Sequence, residues 1–181
     1  IGVDQLPHLE LTREIARRFN YLYGETFSIP ESLLTETPKI PGTDGRKMSK
    51  SYNNCIYLKD SPDIIRKRVS TMFTDPKRIY KKDKGHPEKC PVFMYHNIFN
   101  TERVGEIKKS CKNAEIGCTD CKNELGEKVV AFLKDIRERR EELSKNREYI
   151  WKILKDGSEK AREVATKTLK DVKIKIGMNY E

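Results

Sequence analysis

Between Pro38 and Ser51 the chain gathers Gly42, Gly45, Arg46, Lys47, Ser49, Lys50 and Ser51. Those residue types suit a mobile loop that closes on a polyphosphate. Glycine lets a backbone bend and approach a ligand where a Cβ would clash. Lysine brings a compact ammonium to phosphate oxygens, and serine adds a small donor. A second group opens the chain: Gly2-Val3-Asp4-Gln5, just ahead of Pro7. Gly2 leaves room for a nucleotide against the backbone, and an ionised Asp4 is a pure acceptor suited to ribose hydroxyls. A third group is made of thiols. Cys118 and Cys121 form a C-x₂-C pair, Cys111 precedes it as C-x₆-C, and Cys90 lies further upstream with twenty residues between it and Cys111. Four thiolates can enclose Zn²⁺ as a tetrahedral site or hold a [4Fe–4S] cluster. Disulfides are disfavoured, because nothing in the sequence points to an oxidising compartment. Cys55 sits apart, beside the glycine-rich loop.

Elements must hold these groups in place. Leu11, Ile15, Phe19 and Leu22 recur at helical spacing, which predicts a helix over 7–23 ended by Gly24. Pro30, Pro38, Pro41, Gly42 and Gly45 predict irregular chain over 25–60, with a short strand near Cys55–Leu58. Ser61-Pro62-Asp63 reads as a helix start: hydroxyl cap, proline, then an acid in the first turn. Ile65, Val69, Met72 and Phe73 would be its buried face and Asp75-Pro76 its stop. Helices follow over 91–99, 102–111 and from Cys121 onward, with a break predicted at Asp156-Gly157-Ser158. The expected fold class is mainly α: a remnant of a Rossmann-like α/β domain over 1–60, then a helical bundle over 61–181.

The 181 residues carry 37 Lys and Arg against 28 acids, a net charge of +9. That balance favours an anionic partner such as nucleic acid or nucleotide. Apolar runs fall well short of the ~20 residues that span a bilayer, so no membrane partner and a cytoplasmic location are expected. The start at Ile1, straight into a glycine turn and a helix, suggests the end of a βα unit in a longer protein.

Three ordered segments resemble one family. Gly2-Val3-Asp4-Gln5 with the residues up to Arg13 is similar to the GxDQ motif and following helix of bacterial-type tryptophanyl-tRNA synthetases. Lys39-Ile40-Pro41-Gly42 resembles their adenine-side KIPG segment. Lys47-Met48-Ser49-Lys50-Ser51, continued by Tyr52-Asn53-Asn54, resembles the KMSKS signature of class I aminoacyl-tRNA synthetases. Residues 157–169 resemble the family's last helix. The resemblance implies ATP-dependent activation of tryptophan and its transfer to tRNA-Trp, with Mg²⁺ accompanying ATP and a homodimer as the usual assembly. Lys47 and Lys50 would hold the β- and γ-phosphates, with Ser49 and Ser51 as auxiliary donors. Gly2, Asp4 and Gln5 would face nucleotide and amino acid, Ile40 would offer main-chain groups to adenine, and Met48 would sit in the site or pack beside it. No HIGH-type motif accompanies His8, His86 or His96, so these residues by themselves are expected to bind ATP weakly without activating tryptophan.

A subset of the family carries a [4Fe–4S] cluster with the same C-x₆-C-x₂-C ending. For Cys90, Cys111, Cys118 and Cys121 the resemblance therefore implies a cluster, with Zn²⁺ the rival occupant. Lys108, Lys109, Lys112 and Lys122 flank these cysteines, and Arg78, Lys81, Lys82, Lys84 and Lys89 precede them. Such a patch would neutralise phosphates near an anticodon. Simpler roles exist for single residues: Asp4 and Gln5 as helix caps, the lysines as solvated charges. The rival readings are a tyrosyl-tRNA synthetase, and a non-catalytic RNA-binding module stabilised by metal. The second explains charge and cysteines but not the paired GxDQ and KMSKS segments.

Overall fold

The computed structural model describes residues 1–34 and 40–178. The chain divides into two compact units, Ile1–Lys39 with Leu143–Glu181, and Ile40–Glu142. The mainly α expectation holds: among the described residues, paired extended chain is limited to one isolated antiparallel bridge, Pro41 with Lys47.

In the first unit, α1 spans Leu6–Tyr23 and α7 spans Arg147–Lys175. α1 has proline in its first turn, where no intrahelical N–H is needed, and ends at Gly24, whose φ of 85° suits glycine. Asn20 fastens the chain beyond it, its Oδ1 accepting from the N–H groups of Thr26 at 3.0 Å and Phe27 at 2.9 Å. The Phe27 ring then packs on Phe19, centroids 4.9 Å apart. Lys175 of α7 donates to the Glu25 carbonyl at 2.8 Å and the Thr26 hydroxyl at 2.7 Å. The apolar stripe of α1 is largely exposed, Leu11 and Ile15 each at 61%.

α7 corrects a predicted break. Asn146 caps its start by accepting from the Tyr149 N–H at 3.0 Å, and 29 residues then run unbroken through Gly157. One glycine costs a helix only about 1 kcal/mol relative to alanine. Good helix formers on both sides outweigh that.

The second unit holds α2 (Pro62–Ser70), α3 (Pro91–Phe99), α4 (Val104–Lys112), α5 (Cys118–Phe132) and α6 (Lys134–Ser144), the last ending at the division between units. Its core joins Ile65 and Val69 of α2 to Leu125 and Val129 of α5, closed by Met72, Val92, Tyr95 and Leu133. Ser61 caps α2 as its sequence predicts, accepting from the Ile64 N–H at 3.4 Å. The helix stops at Ser70, before Asp75-Pro76, and Phe73 lies half-exposed outside the core. Residues 55–58 form no strand. Asp60 instead closes a turn there, its N–H donating to the Tyr57 carbonyl while its carboxylate accepts from the Tyr57 N–H, each at 3.0 Å. α5 begins at Cys118, three residues earlier than the apolar periodicity indicates. Cysteine and threonine gave no stripe from which to read that first turn.

Candidate functional site

The signature loop is built around Asn54, a side chain almost wholly buried at 2% exposure. Its Oδ1 accepts from the Ser49 N–H at 2.8 Å, and its Nδ2 donates to Asp44 Oδ1 at 2.8 Å and to the Lys47 carbonyl at 3.1 Å. Its own carbonyl accepts from the Thr43 N–H at 2.9 Å. Gly42 has to be glycine, since a Cβ there would run into the Asn54 side chain. Gly45 adopts φ 80°, the left-handed region that glycine tolerates, and turns the chain so that the Gly42 N–H meets the Arg46 carbonyl at 2.7 Å. The base of the loop is anchored twice. Tyr95 of α3 donates to the Pro41 carbonyl at 2.7 Å, and the Phe73 N–H donates to the Thr43 carbonyl at 2.8 Å. Burial pushes the Tyr95 hydroxyl up to about 12, so it stays protonated as a donor.

On this frame Lys47 and Lys50 stand exposed, with no ion pair among the described residues. Ser49 and Ser51 lie side by side, their hydroxyls 2.7 Å apart. Arg46 is committed elsewhere: it pairs with Asp44 at 2.7 Å and its guanidinium lies over the Tyr52 ring at 4.9 Å. The hydrogen bond from Asn54, reinforced by Arg46, holds the Asp44 carboxyl down at about 2. Ile40 and Met48 lean on the apolar core. Lys39 and Pro38 lie outside the described residues.

Gly2, Asp4 and Gln5 belong to the other unit. The Gln5 N–H donates to the Gly2 carbonyl at 2.9 Å, forming a tight turn over Val3–Gln5. Neither Asp4 nor Gln5 caps α1 through its side chain. Gln5 instead donates to Asp4 at 3.3 Å, and both are exposed. The simpler capping role is thereby removed, and their polar groups are left facing solvent.

The thiols form a separate site. Cys90, Cys111, Cys118 and Cys121 line one small apolar cavity with Arg78, Val92, Phe93 and Ile107. Burial, and then the mutual repulsion of the would-be thiolates, pushes Cys121 up to about 12. Burial also raises Cys111, against the pull of Arg78. Among the described residues no three His, Cys, Asp or Glu groups are close enough to clasp a metal ion. One cation is buried in the wall of the same cavity. The Arg78 side chain is 9% exposed, meets no carboxylate among the described residues, and leaves its Nε buried without a partner. Its Nη2 donates to the carbonyls of Lys81 at 2.9 Å and Ile116 at 2.7 Å, and its Nη1 points at Cys111 Sγ, 3.8 Å away. Cys55 is buried and takes no part.

Arg78 thus leaves the phosphate-facing patch that the sequence suggests. Lys112 and Lys108 are engaged by Glu88, at 2.6 and 3.7 Å, and Lys122 donates to the Ser70 carbonyl at 3.1 Å. Lys81, Lys82, Lys84, Lys89 and Lys109 remain exposed. The loop that carries the first three is closed by buried Asp75. Its carboxylate accepts from the Lys77 N–H at 3.0 Å, the His86 N–H at 2.8 Å and His86 Nδ1 at 2.7 Å. Sequence reasoning missed the structural roles of Asn54, Asp75 and Gly85, and it assigned Arg78 to the basic patch instead of the cysteine cavity. Gly85 allows a close approach, since a Cβ there would strike Cys111 Sγ.

Comparison with known proteins identifies the family. The family model for class I tRNA synthetases (W and Y) matches residues 1–134. The tryptophan–tRNA ligase of Aquifex aeolicus is 52% identical over 175 residues, covering 96% of this chain and 44% of that protein. The tryptophan–tRNA ligase of Thermotoga maritima is 46% identical over 182 residues, covering 99% and 56%. The crystal structure of Campylobacter jejuni tryptophanyl-tRNA synthetase, complexed with ADP and tryptophane, superposes with a TM-score of 0.75 at 33% identity, over 98% of this chain and 56% of that one. The chain spans about half the length of these relatives. With its signature loop and its match to the family model across most of its length, the chain belongs to the class I tRNA synthetases of the tryptophan and tyrosine family.

Proposed function

We propose that this chain serves a tryptophan–tRNA ligase, contributing the phosphate-gripping loop of the ATP site and a helical unit for tRNA-Trp. The observation that carries this is the loop itself: Asn54 fixes the backbone on both sides of Met48 and leaves Lys47 and Lys50 unpaired at the surface. The names of the two relatives described above support tryptophan as the amino acid. In this reading a carboxylate oxygen of tryptophan attacks the α-phosphorus of ATP. The new O–P bond gives the aminoacyl adenylate, and the bond to the β-phosphate breaks to release pyrophosphate. Negative charge builds on the leaving phosphates at that moment. Lys47 and Lys50, with hydroxyls of Ser49 and Ser51 beside them, stabilise it. Mg²⁺ accompanies ATP on the same phosphates. Gly2 gives the nucleotide a close approach, Asp4 accepts from ribose, Gln5 holds the amino-acid head group, and the Ile40 main chain meets adenine. A ribose hydroxyl of tRNA-Trp then takes the aminoacyl group and AMP departs. The relatives are bacterial, in keeping with cytoplasmic work, and among the described residues no helix is long and apolar enough to cross a membrane. The full-length protein acts as a homodimer in this reading.

The same proposal assigns Cys90, Cys111, Cys118 and Cys121 as ligands of a [4Fe–4S] cluster, with Zn²⁺ as the alternative. Their support is one shared cavity and an uncompensated buried cation beside it. Bound there, the cluster would cross-link the segment before α3 to α4 and α5. Iron and acid-labile sulfide in anaerobically purified protein support the cluster, and zinc alone replaces it.

The decisive experiment is tryptophan-dependent pyrophosphate exchange by the full-length enzyme with Lys47→Ala and Lys50→Ala. Each is expected to lower the rate roughly 10²- to 10³-fold. Unchanged exchange in both variants overturns the loop's role, and exchange driven by tyrosine instead of tryptophan overturns the amino-acid assignment.

A further inference from the structure

Two N–H groups address sulfurs of the cysteine cavity. Arg78 Nη1 lies 3.8 Å from Cys111 Sγ. His96 Nε2 lies 3.3 Å from Cys121 Sγ and 3.1 Å from the Cys121 carbonyl. His96 is completely buried, and its tautomer is set by its neighbours. The Asn100 amide nitrogen contacts both His96 Nδ1 at 3.1 Å and the Glu124 carboxylate at 2.8 Å. A carboxylate only accepts, so that atom of Asn100 is the NH₂ group and His96 Nδ1 is an acceptor. The proton is therefore on Nε2, facing Cys121. Glu124 is held in turn by Arg103 at 2.9 Å. Neutral thiols accept hydrogen bonds weakly, whereas sulfurs that carry negative charge would draw on both donors, Arg78 beyond its two carbonyls and His96 beyond the Cys121 carbonyl.

We propose that Arg78 and His96 are positioning residues for a thiolate-bound metal centre, donating to Cys111 and Cys121 respectively and balancing its negative charge. The inference rests on the metal-centre reading above and goes beyond it, by assigning which of this chain's residues govern how tightly the centre is held. Groups that orient and polarise metal ligands typically change metal affinity 10- to 100-fold when removed. Hydrogen bonds to sulfur also raise the reduction potential of an iron–sulfur centre, because they stabilise the more negative reduced state.

The test uses the full chain purified anaerobically, with metal content and resistance to a chromogenic chelator measured for wild type, Arg78→Lys, Arg78→Gln and His96→Gln. Arg78→Gln and His96→Gln are expected to release metal about 10- to 100-fold more readily. Arg78→Lys, which keeps the charge, restores part of the loss. If iron is present, both Gln variants lower its midpoint potential, a signature that loss of packing alone does not give. Arg78 also ties two carbonyls. Should Arg78→Gln not fold, His96→Gln and Arg78→Lys decide the matter by the same measurements. Metal retention and potential unchanged in folded variants would overturn this inference. A wild-type protein with four free thiols and no metal would instead overturn the metal-centre reading on which it stands.

Discussion

Asn54 restrains a loop otherwise rich in glycine, lysine and serine. Replacing it with alanine strips partners from the Ser49 N–H, Asp44 and the Lys47 carbonyl at once. Asn54→Ala is expected to destabilise the chain by about 1–3 kcal/mol, read by urea unfolding. In the full-length enzyme it should also raise the KM for ATP, because the lysines lose their frame. Asp44 and Asp75 predict a response to acid. Asp44 is held at about 2 against an ordinary 3.8, first by Asn54 and then by Arg46. At Asp75 burial pushes the carboxyl up, but the His86 ring and the two backbone N–H groups outweigh it and the net shift is downward. Both carboxylates bind protons less readily when folded, so their stabilisation is fully present above 3.8 and is lost as pH falls below that value. Acid titration followed by NMR should show the Asp75–His86 loop opening as pH falls below 3.8, and a loop that stays closed once the Asp75 carboxyl has protonated would contradict the assignment. The lysines and serines were legible because a short signature names them. Asn54 appeared only as a residue continuing that signature, because asparagine ordinarily sits at the surface and no local pattern marks a buried amide.

Among the elements, α7 offers the sharpest contrast between sequence and structure. Gly157 lies inside it with open space around its Cα, so an added methyl meets nothing. Gly157→Ala is expected to stabilise the helix by about 1 kcal/mol, seen as a higher melting temperature. A loss of stability would indicate that the helix does break there. Ser61→Ala should cost about 0.5–1 kcal/mol by removing the cap of α2, at the low end because its hydrogen bond is long at 3.4 Å. The cap and proline of α2 and the closing glycine of α1 were readable, since they are chemical signals confined to a few residues. The predicted strand near Cys55 failed because a short apolar run is ambiguous and Asp60 diverts the chain into a turn. The break at Gly157 failed because punctuation was weighed without the helix propensity around it.

At the scale of the molecule, the mainly helical class followed from apolar periodicity, while the composition of each unit did not. The first unit joins the chain's opening residues to its last helix, and no local pattern encodes a contact between segments so distant in sequence. The second unit depends on Leu125, fully buried between α2 and α3. Leu125→Ala is expected to cost about 2–5 kcal/mol in that unit, measured by denaturant unfolding. The basic arc between Asp75 and His86 has a consequence for any polyanion that meets it. Its backbone lost conformational entropy when the protein folded, so Lys81, Lys82 and Lys84 present their charge from a preorganised scaffold. Calorimetry with a short single-stranded RNA should accordingly show salt-dependent association without the large unfavourable entropy of a segment that folds as it binds.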